Sequence, residues 1–66
     1  MTYKKKDFRY LIARAKGVRK GTIEQVSCQL LDDCIKTAEA VLPEIKGQAN
    51  SHQEEVYKNL EAAVGP

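Results

Sequence analysis

Apolar side chains recur at helical spacing along nearly the whole chain, and this pattern restricts the fold more than any other feature. With residues placed about 100° apart, Phe8, Leu11, Ile12, Ala15 and Val18 fall within one arc of about 120°. That stripe predicts an amphipathic helix over about residues 6–16. Gly17 reads as the residue just past its end, with Arg14 and Lys16 in the last turn, where cations complement the carbonyl end of a helix.

A second helix is expected over about residues 22–42. Thr22 and Gln25 have capping-box spacing, and Glu24 adds negative charge to the first turn. The apolar positions Ile23, Val26, Leu30, Leu31, Cys34, Ile35, Ala38, Val41, Leu42 and Ile45 cover about half the circumference. So wide a face usually meets two neighbours. Pro43, which lacks the N–H for an internal helical bond, either ends this helix or kinks it on its solvent side. A turn near Gly47 then leads to a third helix over about residues 51–64. Ser51 and Glu54 are its capping pair, Val56, Tyr57, Leu60, Ala63 and Val64 its stripe, and Gly65-Pro66 its stop.

The expected class is therefore all-α and a single domain, residues 1–66. Short links imply antiparallel neighbours with the second helix in the middle. Two arrangements satisfy the pattern: a small three-helix bundle, or a helical hairpin whose leftover apolar surface closes a homodimer. A chain of 66 residues buries only about 60% of the surface its unfolded form exposes, and small cores often recruit a second copy, so homodimerisation is expected.

Charge is divided unevenly along this frame. Residues 1–20 hold eight of the eleven basic side chains against Asp7, a net of +7, while residues 21–66 hold three against eight carboxylates, a net of −5. Lys5, Lys6, Arg9, Arg14, Lys16, Arg19 and Lys20 are the candidate contacts for DNA, RNA or another polyanion. Arg19 and Lys20 are expected beside the N-terminus of the second helix, where free N–H groups favour anions. Tyr3 and Tyr10 interleave with the cations, but two tyrosines at this spacing do not make a stacking platform of the usual kind.

A helix-turn-helix would read bases with its second helix. Here that helix offers Gln25 and Gln29 but also Asp32, Asp33 and Glu39, which phosphates repel, so contact is assigned to the first helix and the N-terminal arm. The competing expectation is a protein-interaction module, an inhibitor or adaptor. Either an acidic partner meets its basic helix, or another helix meets the excess apolar width of the second.

Enzymatic signatures are lacking, and no enzyme, cofactor or metal is expected. Residues 17–22 miss the spacing of a phosphate-binding loop and follow no hydrophobic strand. Structural zinc wants four ligands in closer-knit spacing than Cys28, Cys34 and His52 provide. On one helix the two cysteines stand about 120° apart and about 9 Å along the axis, which excludes a disulfide between them. Cys34 is expected in the core opposite Leu60, and His52 on the surface. Asp32 and Asp33, adjacent on a helix, diverge by about 100° and do not converge on one atom. The apolar stretches are too short to cross a membrane, and the low cysteine count favours a cytoplasmic location.

Overall fold

A computed structural model describes residues 3–65, so Pro66, assigned above to the helix stop, lies outside the described residues. Three α-helices follow one another: α1 over Lys5–Gly21, α2 over Gln25–Val41 and α3 over Ser51–Val64, with a 3-10 turn at Leu42–Glu44. Each helix packs against the other two, so the chain forms a three-helix bundle. Between α1 and α2 the ion pairs Lys16–Glu39 and Arg19–Asp32 run in opposite numerical order, which fixes these helices as antiparallel.

Helix α1 does not stop at Gly17. It continues through Gly21, because Val18 packs against the core and Arg19 reaches α2, and these contacts offset the roughly 1 kcal/mol that a glycine costs within a helix. Thr22 closes this helix instead of opening the next. Its hydroxyl donates to the Val18 carbonyl at 2.7 Å, and its N–H donates to the Arg19 carbonyl at 3.2 Å. The expected Thr22–Gln25 capping box is thus not formed, and Glu24 occupies the N-cap of α2 without a side-chain capping bond.

The apolar face of α2 is narrower than its sequence suggests. Leu31, Ile35, Ala38 and Val41 are buried, but Ile23, Val26 and Leu30 are 98%, 71% and 53% exposed. Ile23 precedes the Glu24 N-cap and so lies outside α2, while Val26 and Leu30 stand on the side of the helix away from Asp32 and Glu39, the residues that meet α1.

Pro43 ends α2. It sits in the 3-10 turn, where its missing N–H leaves no internal bond unmade, and the Ile45 N–H returns to the Leu42 carbonyl at 3.3 Å. Gly47, at φ +75°, reverses the chain in a conformation that residues with a Cβ rarely adopt. The cap of α3 lies one residue before the expected pair: Gln53 N–H donates to Asn50 Oδ1 and Asn50 N–H to Gln53 Oε1, both at 2.9 Å.

Phe8, Leu11, Ile12 and Ala15 from α1 meet Leu31, Ile35, Ala38 and Val41 from α2 and Val56 and Leu60 from α3, with Ile45 and Ala49 closing one end. The N-terminal segment is tied to that end. Ala49 N–H donates to the Tyr3 carbonyl at 2.8 Å, and Lys4 pairs with Gln48 in an isolated antiparallel bridge. Lys4 N–H also donates to the Asp7 carboxylate at 2.8 Å, and Asp7 N–H to the Lys4 carbonyl at 3.0 Å, which anchors the start of α1.

Candidate functional site

Burial of the apolar stripe of α1 dictates what its other side presents. Lys6, Arg9, Tyr10, Arg14, Lys16 and Lys20 are all exposed, while Lys5 and Arg19 are half-buried. Lys5, Arg9, Lys16 and Lys20 fall within about 60° of one another around the axis and span about 22 Å along it. They form a row of positive charge on the side of α1 nearer α2.

Two of these cations are matched by acids. Lys16 Nζ lies 2.9 Å from Glu39 Oε2, and Arg19 Nε donates to Asp32 Oδ1 at 3.0 Å. That hydrogen bond and the charge behind it raise the pKa of the Arg19 guanidinium above its ordinary value. Both pairs are about half exposed, and pairs so placed contribute little to stability. Among the described residues, Lys4, Lys5, Lys6, Arg9, Arg14 and Lys20 have no carboxylate within ion-pair distance. The acidic helices therefore neutralise only a quarter of the basic segment.

The Arg19/Lys20 corner differs from its sequence expectation. Both residues belong to the last turn of α1, and Arg19 turns to the middle of α2 instead of to its first N–H groups. The N-terminus of α2 is occupied by Glu24, whose carboxylate accepts from the Ser27 hydroxyl at 3.0 Å. An anion is not invited there.

Tyr3 also departs from a free aromatic arm. Its ring stacks on Tyr57 with centroids 3.9 Å apart, and Phe8 meets the same Tyr57 edge-on at 5.2 Å. Tyr10, 70% exposed, is the aromatic left on the basic face of α1.

A groove of about 420 Å³ runs between α1 and α2, lined by Lys16, Arg19, Lys20 and Lys36 together with Asp32 and Glu39 over a floor at Ile35. Lys36 was not a sequence candidate. It stands one turn from each of Asp32 and Glu39 on an acidic helix face, and only the packing of α1 against α2 reveals the cations opposite.

The thiols offer little chemistry. Cys28 and Cys34 are both free, and Cys28 Sγ donates to the Thr22 carbonyl at 3.3 Å. Cys34 faces α3 as expected, in a shallow cavity of about 120 Å³ shared with Asp33, Thr37, Val56 and Asn59. Burial first, and the Asp33 charge second, push its pKa up, which makes it a poorer nucleophile at neutral pH. Asp33 and His52 are exposed, and among the described residues no three His, Cys, Asp or Glu side chains converge as a metal site. No helix among them is long and apolar enough to cross a membrane.

Comparison with known proteins finds no matching family model, curated protein or solved structure.

Proposed function

We propose that this chain is a small non-enzymatic accessory or regulatory protein that binds nucleic acid through the exposed face of α1 and acts in the cytoplasm. One observation carries the reading: six of the eight basic side chains of residues 1–20 have no carboxylate partner among the described residues, and most of them share one side of one helix. Phosphate neutralisation supplies the affinity. Phosphate contacts dominate because the face is mostly lysine, and Arg9 and Arg14 are its side chains suited to contact guanine edges.

Fluorescence anisotropy with labelled duplex DNA, single-stranded DNA and structured RNA at two salt concentrations tests this function. Saturable binding that weakens with salt is expected for at least one probe, with loss of binding on reversing Arg9 and Arg14 to glutamate. Binding by the double variant equal to that of the parent refutes the surface assignment.

A second reading rests on Val26 and Leu30, one turn apart on α2, and on Ile23 just before its N-cap, which together leave an exposed apolar patch at the start of α2. Here the chain is a protein-interaction module, and the occupant of the patch is a second copy. Two such seams can pack helix against helix about a two-fold axis. Three side chains bury far less than the roughly 1,000 Å² of a firm interface, so this homodimer is weak and concentration-dependent.

A further inference from the structure

We infer that the groove between α1 and α2 is a phosphate subsite of the nucleic-acid surface, with Lys20 and Lys36 as its two contacts, a placement that depends on the function proposed above. The groove gathers four cations and two carboxylates, a formal excess of two positive charges on a concave surface. Arg19 and Lys16 are engaged by Asp32 and Glu39. Lys20 and Lys36 carry the excess, since neither has an ion-pair partner among the described residues.

Shape and charge point to the same ligand. A flat lysine-rich face attracts any anion diffusely, but here cations from two helices border one cleft, which holds a group of tetrahedral geometry from two sides. The groove is open to solvent, so a phosphodiester can meet its lysines while keeping part of its hydration. The row Lys5, Arg9, Lys16 and Lys20 leads along α1 into it, so a backbone followed down that side of the helix arrives at Lys36. The carboxylates of Asp32 and Glu39 set a limit on this binding. They hold two cations that a phosphate would otherwise recruit, and they repel a second phosphate.

The function of the groove is therefore legible in the salt dependence of binding. Each neutralised phosphate contributes about −0.9 to the log–log salt slope on duplex DNA and about −0.7 on a single strand. Anisotropy titrations of the parent, Lys36→Gln, Glu39→Gln and Lys58→Gln against a fluorescein-labelled 20-mer, single-stranded and duplex, and a labelled RNA hairpin separate the contributions. Lys58, exposed on α3 and outside the groove lining, is the control for net charge alone. Lys36→Gln is expected to reduce the slope by about one phosphate and to weaken duplex binding about eightfold at 0.1 M salt, the counterion-release value referred to 1 M. Glu39→Gln releases Lys16 and is expected to tighten binding, and Lys58→Gln to leave it unchanged. All three change exposed side chains, and matching thermal melts establish that they fold.

Parental slope and affinity in Lys36→Gln overturn the groove while leaving the α1 surface in place. An equal loss in Lys58→Gln assigns the effect to net charge and overturns it too. Absence of binding by the parent to every probe at low salt overturns the groove and the nucleic-acid function together.

Discussion

Tyr3 and Tyr57 stack face to face across the bundle, with ring centroids 3.9 Å apart and planes inclined by 19°. The contact joins the segment before α1 to the middle of α3, and the Ala49–Tyr3 backbone bond holds the same segment from the other side. Aromatic pairs contribute about 0.5–1.5 kcal/mol beyond the area they bury. A double-mutant cycle with Tyr3→Ala and Tyr57→Ala, read by urea unfolding, is expected to return a coupling in that range. Additive losses would show that the rings touch without reinforcing one another.

Tyr57 also makes stability depend on alkaline pH. Burial is the main cause of its raised pKa; the charge of Glu61 and the presence of Tyr3 and Asp7 raise it further, while Arg14 acts in the opposite sense. A phenol whose folded pKa lies above its unfolded value contributes fully below about pH 10, where both states are protonated. Above that pH the unfolded state ionises first, and the contribution is lost as pH rises through the folded pKa. Lysines titrate in the same range, so the difference between parent and Tyr57→Phe is the informative quantity. The fall in Tm from about pH 8 to about pH 10.5 is expected to be smaller for Tyr57→Phe. Equal falls would remove Tyr57 as the cause.

The sequence pattern is sufficient for three helices and their order because Phe8, Leu11, Ile12, Ala15, Leu31, Ile35, Val56 and Leu60 all follow a helical period and all are buried. Its failures cluster at the α1–α2 link. Gly17 and Thr22 carry local signals for a stop and a start, but the decisive contacts come from elsewhere in the chain: Val18 on the core and Arg19 on Asp32. Periodicity likewise cannot tell that Val26 and Leu30 stay outside the contact that buries Leu31 and Ile35. The candidate basic residues were visible as charge, and the two of them that are paired were not, since pairing is a property of register between helices. Lys36 was hidden for the same reason.

Gly17 and Gly47 should respond oppositely to alanine. Gly17 lies within α1, and a Cβ there meets nothing within 4 Å. Gly17→Ala is expected to stabilise by about 0.5–1 kcal/mol, through helix propensity and a less disordered unfolded chain. A Cβ at Gly47 is equally unobstructed, but its φ of +75° carries a backbone penalty of about 1–2 kcal/mol for any L side chain. Urea midpoints of the two variants should therefore move in opposite directions. A rise in both would show that the turn at Gly47 relaxes to another conformation.

Leu30 and Leu60 separate surface from core on chemically identical side chains. The breadth of the α2 stripe places Leu30 between helices, where a carboxylate would be buried unpaired and the fold would collapse; at 53% exposure it is instead a surface residue. Leu60, 0% exposed, is the opposite case. Leu60→Ala is expected to cost about 2–5 kcal/mol, a large part of the stability of so small a domain. Leu30→Asp is expected to change monomer stability by less than about 1 kcal/mol and to keep a cooperative melt. Its effect should appear in association. If Ile23, Val26 and Leu30 form the seam of a weak dimer, light scattering of the parent at rising concentration shows a mass increase that Leu30→Asp abolishes. Equal masses for the two proteins at every concentration would leave the stripe without a role in self-association, and a collapsed melt for Leu30→Asp would return Leu30 to the core.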